Sequence, residues 1–275
     1  MHCMKTRGTK TRSKKRARLT PPKSKKPRKP FPFLSLPQEL RDYIYELALT
    51  EEEGLTLVSR TKAYRRTICR GVIYNNDGTR YYRRYRRRRF NTARLSQSQE
   101  DEKANHLSPN LLAVNKQIHA EAIGYLYKQP MIVDDTMTLH TFLAAIGASN
   151  RLALSDVTVK AWGVGRGTHK AMNFASLTLL ATCTNLTRLS LDCEVGWMRQ
   201  PKYLARQIFR DGHYFLETFG AANGKKDAAI DVLELSEWNY DKGNFFPYRR
   251  LAGSLPEKEP YKEAFRAELR KLLRC

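Results

Sequence analysis

Residues 157–162 read Val-Thr-Val-Lys-Ala-Trp, residues 186–191 read Leu-Thr-Arg-Leu-Ser-Leu, and residues 230–235 read Ile-Asp-Val-Leu-Glu-Leu. Each segment is rich in apolar and β-branched residues in the pattern typical of a strand. Helical periodicity over 171–183 and 201–219 separates the three segments. A β-α-β-α-β order predicts parallel strands joined by right-handed crossovers, and we therefore expect an α/β fold.

The part of the chain before residue 157 carries further helix and strand patterns. Apolar residues recur at three and four positions from Leu36 to Leu49 and again from Leu111 to Tyr125, which predicts helices over 36–49 and 108–127. We also expect strands at 55–58 and 131–133 and helices at 136–146 and 257–273. The segment Leu179–Leu191 resembles one leucine-rich unit, and the strand spacing is too uneven for a regular solenoid.

These patterns predict three regions along the chain. Residues 1–30 are expected to form a disordered basic tail, because they contain almost no apolar residues to bury. Residues 31–147 are expected to form a helical unit that is interrupted by a basic insert at 60–103, with a long loop and a hairpin near Asn75–Gly78. Residues 148–275 are expected to form a β/α region that ends in a helix.

The charge of the chain is concentrated in two segments. The sequence has 50 Lys and Arg against 27 Asp and Glu, a formal net charge of +23. Residues 1–30 contain thirteen basic and no acidic residues, and residues 60–94 contain thirteen basic residues and Asp77 alone. The remaining residues are nearly neutral. The high net charge is therefore informative about what these two segments bind, and not about the fold.

The basic tail has the composition of a nuclear import signal. Two clusters of cations lie about ten residues apart in a chain that should be extended. The residues concerned are Lys14, Lys15, Arg16, Arg18, Lys25, Lys26, Arg28 and Lys29. We predict a nuclear location, with a cytoplasmic protein as the alternative. A solubilising tail or direct contact with nucleic acid would have the same composition.

The basic insert interleaves tyrosine with arginine over residues 81–90. Aromatic rings can stack on unpaired bases while guanidinium groups bind phosphates. The candidate nucleic-acid contacts are Arg83, Arg84, Arg86, Arg87, Arg88 and Arg89. The alternatives are a solvated charged loop and an internal ion pairing with the acidic residues at 100–102.

The sequence contains no recognisable catalytic or metal-binding motif. The five cysteines form no CxxC pair, and HExxH and GxSxG are both missing. His119 and Glu121 are two residues apart on a predicted helix, so we expect a solvated surface pair and no metal ligands. The glycine-rich segment 162–170 lacks phosphate-loop spacing and favours a β-α turn. We expect a non-enzymatic protein without cofactor, metal or membrane span.

Two stretches carry a family resemblance. Residues 33–49 read Phe-Leu-x-Leu-Pro-x-Glu-Leu-Arg-x-x-Ile-Tyr-Glu-Leu-Ala-Leu, and residues 111–122 read Leu-Leu-Ala-Val-Asn-Lys-Gln-Ile-His-Ala-Glu-Ala. Together they resemble a large F-box-like family of filamentous fungi, over roughly residues 31–146. F-box modules dock on the Skp-type adaptor of cullin-RING ubiquitin ligases. The resemblance thus implies an F-box-like helical unit that binds such an adaptor.

The resemblance also implies which residues face the adaptor. They are Leu36, Pro37, Leu40, Ile44 and Leu47. The alternative, which we favour for most of these positions, is that the same apolar stripe belongs to the core. The expected function is protein interaction: an F-box-like subunit that recruits a client through the surface of the β/α region. The competing expectation is a nuclear nucleic-acid-associated protein that acts through its basic segments.

Overall fold

A computed structural model describes residues 31–71, 73, 107–163, 168–195, 200–240 and 259–275. The chain divides into two compact units, residues 1–37 and residues 38–275. The described part of the first unit contains a 3₁₀ turn at Phe33–Ser35, which Ser35 supports by donating from Oγ to the carbonyl of Pro32 over 2.7 Å. All the remaining elements belong to the second unit.

A six-stranded sheet runs through the second unit in the order β2-β1-β3-β4-β5-β6. The strands β1 and β2 are antiparallel, and every other neighbouring pair is parallel. The predicted α/β class is therefore confirmed. The strand bounds are Leu55–Lys62 (β1), Arg65–Arg70 (β2), Met131–Val133 (β3), Asp156–Val159 (β4), Arg188–Leu191 (β5) and Leu233–Leu235 (β6).

Seven α-helices accompany the sheet in the described ranges. Their bounds are Gln38–Leu49 (α1), Lys116–Lys128 (α2), Thr136–Arg151 (α3), Thr168–Leu180 (α4), Pro201–Ala222 (α5), Ala228–Val232 (α6) and Glu259–Leu273 (α7). The helices α3, α4, α5 and α7 pack side by side in that order, and α1 packs on α2. None of the helices in these ranges is long and apolar enough to cross a bilayer.

The parallel strands follow one another in chain order, so right-handed crossovers place the connecting helices on a single face of the sheet. One cross-strand row is buried beneath those helices: Leu57, Val133, Val159, Leu191 and Leu235. The adjacent row points to the other face: Thr56, Ile132, Thr158, Ser190 and Glu234. In that second row Glu234 is exposed, the first three side chains are half-buried and Ser190 is buried. We call this second face, whose described side chains are on the whole less buried than those of the first, the open face.

The open face also carries a small ion network. Arg188 donates from Nε to Oε2 of Glu234 over 2.8 Å, and its Nη1 lies 3.6 Å from Oδ2 of Asp156. Burial of Asp156 is greater than that of Glu234, whose side chain is about half exposed. These pairs link β4, β5 and β6 across the surface.

The regions differ from those expected in two respects. The predicted boundary at 147/148 falls within the sheet, because β3 before it pairs with β4 after it. The predicted loop after residue 60 is wrong for its first part, since β1 continues to Lys62 and β2 pairs with it. The predicted hairpin near Asn75–Gly78 and the predicted disorder of residues 1–30 lie outside the described residues.

Two elements also differ in detail. The helix expected over 108–127 consists of two elements, a 3₁₀ turn at Pro109–Ala113 and α2 from Lys116. At the start of α2, Asn115 accepts a hydrogen bond from the Gln117 amide over 3.0 Å. This interruption arises because asparagine is a favoured N-cap. The strand expected over 230–235 begins only at Leu233, because Ala228–Val232 is helical.

Candidate functional site

The helices α1 and α2 are joined by a polar cluster around one carboxylate, that of Glu121. Arg41 donates from Nε and Nη2 to its two oxygens, each over 3.1 Å. Tyr45 donates its hydroxyl over 2.8 Å, and Gln117 donates its amide over 2.9 Å. These donors, with Gln117 and Tyr45 first, lower the pKa of Glu121. We call Arg41, Tyr45, Gln117 and Glu121 the α1–α2 clamp.

The clamp is partly removed from water. Tyr45 is fully buried, and its burial together with the hydrogen bond to Glu121 raises its pKa to about 12. Its ring lies 6.0 Å from that of Tyr125. Burial and a hydrogen bond to Asp42 also raise the pKa of Tyr125. The two tyrosines therefore remain neutral donors through the physiological range.

A second contact ties the end of α1 to the end of α2. Gln129 donates from Nε2 to the carbonyl of Leu49 over 2.8 Å and accepts from the amide of Glu51 over 3.0 Å. A buried amide side chain thus satisfies backbone groups that the helix end leaves without partners. The orientation of α1 on α2 is held at both ends.

The predicted pairing of His119 with Glu121 on the surface is only half right. The side chain of His119 is exposed, with Nδ1 3.1 Å from the carbonyl of Leu112. Glu121 instead belongs to the clamp between the helices. Within the described residues, no group of three or more His, Cys, Asp and Glu side chains is placed to hold a metal ion.

The clamp turns the apolar stripe of α1 outward. Tyr45 and Leu49 occupy the inner face of the helix and are fully buried. On the outer face Leu40, Tyr43 and Leu47 are 50%, 59% and 62% exposed. Their spacing of three and four residues places them on one stripe, which we call the outer face of α1.

The prediction that the apolar stripe belongs to the core is therefore wrong for Leu40 and Leu47. The physical reason is that Arg41 and Tyr45, on the opposite side of the helix, are held inward by Glu121. Ile44 is half-buried at the edge of the stripe. In the first unit, Leu36 is half-buried and Pro37 is exposed.

The remaining predicted site residues lie outside the described ranges. They are the basic residues of the tail from Lys14 to Lys29 and the arginines from Arg83 to Arg89. The middle of the glycine-rich segment, 164–167, is outside them as well. Its start is described, and Gly163 is held by the buried side chain of Asn173.

Asn173 pairs with the backbone of Gly163 in both directions. Its Oδ1 accepts from the Gly163 amide over 3.0 Å, and its Nδ2 donates to the Gly163 carbonyl over 2.9 Å. The Thr136 hydroxyl donates to the same Oδ1 over 2.9 Å. Asn239 makes the corresponding bonds to Val195 and Cys193 after β5, over 2.9 and 2.8 Å. These asparagines were not predicted from the sequence, where their only signal is a polar residue in an apolar helical or turn segment.

The fold and the clamp together define an α/β protein with an open sheet face and an N-terminal helix pair. Residues 26–160, just under half of the chain, match the model of the family described as Domain of unknown function (DUF7730). Both helices of the pair lie within the matched residues. That description does not mention an F-box. Neither the curated proteins nor the solved structures include a match to this chain.

Proposed function

We propose that this chain is a non-enzymatic protein-interaction module that docks its partner on the outer face of α1. The observation that carries the proposal is the exposure of Leu40, Tyr43 and Leu47 on one helical stripe. Single exposed leucines are ordinary, whereas a contiguous apolar stripe on a helix is typical of a binding site. Anchors at i, i+3 and i+7 suit recognition along a helix face.

The clamp supports this function by fixing the helix before the partner arrives. Glu121 and Gln129 hold the inner side of α1, so its backbone need not become ordered on binding. A pre-organised surface loses less conformational entropy on association. Full burial of one Leu side chain contributes about 1.5–3 kcal/mol, so the stripe can supply a useful fraction of a binding free energy.

The partner that we propose is the Skp-type adaptor of a cullin-RING ubiquitin ligase, with the chain acting as an F-box-like recruiting subunit. The support is that residues 33–49 and 111–122 resemble an F-box-like family. Leu40 and Leu47, in the first of these stretches, are exposed. The client would bind the open face of the sheet, where Ile132 and Thr158 are half-buried. The basic tail would direct the complex to the nucleus.

Adaptor binding can be tested with purified components. Leu40→Asp combined with Leu47→Asp should reduce affinity for the Skp-type adaptor at least tenfold, because it places charge in the apolar contact. Leu152→Asp is the matched control, since Leu152 is a leucine of similar exposure, 46%, at the end of α3. The proposal would be contradicted if the wild type and both variants bound the adaptor equally well. It would also be contradicted if the folded wild type did not bind.

Nuclear location needs a separate test. A fluorescent reporter fused to residues 1–30 should accumulate in the nucleus, and replacement of Lys14, Lys15 and Arg16 by Ser should return it to the cytoplasm. A wild-type fusion that stays cytoplasmic would refute the location without bearing on adaptor binding.

A further inference from the structure

The hairpin β1–β2 extends beyond the pairing of β1 with β3 as a two-stranded ribbon. Pairing between β1 and β3 covers only Leu55–Leu57, whereas pairing between β1 and β2 continues to Lys62 opposite Arg65. At about 3.3 Å per residue, the unpaired extension is roughly 16 Å long. Every side chain described from residue 60 to 67 is exposed. We call residues 58–69 the ribbon.

The exposed part of the ribbon carries arginines that no described acidic side chain pairs with. Arg60, Arg65 and Arg66 make no ion pair with any described residue, whereas Arg70 at the base of the hairpin pairs with Glu51. Alternation along the strands puts Arg60 and Arg65 on one face of the ribbon and Arg66 on the other. Planar guanidinium groups bind phosphate oxygens in pairs.

The tip of the ribbon presents an aromatic ring. Ala63 and Tyr64 form the two-residue turn with φ of 48° and 64°, a conformation normally occupied by Asn-Gly. Tyr64 is fully exposed, so packing does not compensate for its backbone strain. A large ring in an unfavourable turn position, free of protein contacts, points to a ligand that stacks on it.

We propose that the ribbon binds single-stranded nucleic acid. Arg60 and Arg65 contact phosphates on one face of the ribbon, Arg66 adds positive charge from the other face, and the Tyr64 ring stacks on an unpaired base. A duplex offers the same phosphates but no free base face, so the ring favours a single strand. Carboxylate side chains would satisfy the arginines but offer no flat ring to Tyr64. This site is separate from the outer face of α1 and does not depend on adaptor binding.

The test measures binding of the full chain to a short fluorescent single strand by anisotropy, across about 50–200 mM salt. Changing Arg60, Arg65 and Arg66 to Ser should weaken binding at least tenfold. It should also reduce the slope of log affinity against log salt by about 2 to 3. The control changes the exposed Arg206, Arg266 and Arg274 of the second unit to Ser and should retain wild-type binding.

Tyr64→Ala isolates stacking from charge. It should weaken single-strand binding roughly fivefold or more and leave the salt slope unchanged. Duplex of the same sequence should bind more weakly and be insensitive to this change. The proposal is overturned by equal losses in the two arginine variants, which would indicate net charge alone. It is also overturned if Tyr64→Ala has no effect or if the ribbon variant binds as well as the wild type.

Discussion

The hydroxyl of Tyr45 in α1 lies 2.8 Å from Oε2 of Glu121 in α2, a hydrogen bond between residues 76 positions apart. This bond joins two stretches of the chain, residues 33–49 and 111–122, that are distant in sequence. The first stretch supplies Arg41 and Tyr45, and the second supplies Gln117 and Glu121. Their polar residues hold the helices to each other, and Leu40 and Leu47 of α1 remain exposed on the other side.

The carboxylate of the clamp predicts an acid dependence of folding. The pKa of Glu121 is lowered in the folded state, so its contribution to stability is present above the unfolded pKa, near 4.5, and is lost as the pH falls through the lower folded value. Glu121→Gln should flatten the decline in the free energy of unfolding between pH 5 and 3, measured by urea denaturation. Glu217→Gln, on the exposed side of α5, is the control and should decline as the wild type does.

The hydroxyl of Tyr45 in the clamp predicts that the free energy of unfolding decreases at alkaline pH. The pKa of Tyr45 is raised to about 12, so its contribution is full below the unfolded value near 10 and is lost as the pH rises through 12. Tyr45→Phe should cost about 1–3 kcal/mol at neutral pH, because a bond to a charged acceptor is lost. It should also lose less stability than the wild type between pH 9 and 11. Tyr43→Phe, an exposed tyrosine on the same helix, should change neither quantity.

The two faces of α1 should differ sharply in their response to truncation. Leu49→Ala removes a fully buried side chain and should cost about 2–5 kcal/mol of unfolding free energy. Leu47→Ala, two residues away and 62% exposed, should cost less than about 0.5 kcal/mol. Chemical denaturation of both variants gives the comparison. Equal costs would mean that the outer face is covered in the folded protein.

The strained turn of the ribbon should accept glycine with a gain in stability. Tyr64 has φ of 64°, a region that costs a non-glycine residue about 1 kcal/mol and costs glycine little. Tyr64→Gly should therefore raise the unfolding free energy by about 0.5–1 kcal/mol, seen as a higher melting temperature. Thr67→Gly, within β2, should lower it. A destabilised Tyr64→Gly variant would show that the tyrosine is supported by contacts.

The buried amide of Asn173 should be among the more costly polar positions to change. Asn173→Leu leaves the amide and carbonyl of Gly163 and the hydroxyl of Thr136 without this partner. Buried groups left unsatisfied cost about 1–3 kcal/mol each, so a loss of at least about 2 kcal/mol is expected. Asn223→Ala, at the exposed end of α5, should cost much less. Thermal denaturation of both variants gives the comparison. A stability close to that of the wild type would show that water replaces the amide.

The parallel strands and most helices could be predicted because their patterns are local. Alternation over Val157–Val159 requires only the neighbours along the chain. The orientation of α1 could not be predicted in this way, since Leu40 and Leu47 lie on one face while Tyr45 and Leu49 lie on the other. Either face could have been buried, and the choice depends on Glu121 in a different helix. The spacing of apolar residues indicates that a helix has an apolar face, but it does not indicate what covers that face.

The ribbon was missed for a different reason. Its exposed strands consist mainly of arginine and threonine, and Ile68 is the one large apolar residue of β2. Backbone pairing with β1 holds such a segment without an apolar pattern. The buried asparagines were missed because most of their partners are backbone groups, which leave no mark in the sequence.

The order of the strands has a consequence for how the chain folds. From β3 to β6 each strand pairs with the next one along the chain, across 26 to 44 residues, so these contacts should form before the pairing of β1 with β3, which spans 76 residues. The pairing of β1 with β3 must instead close a loop that contains the basic insert. Because doubling the length of such a loop costs only about 0.6 kcal/mol, the insert could grow considerably before it slowed this step or weakened the folded state by much.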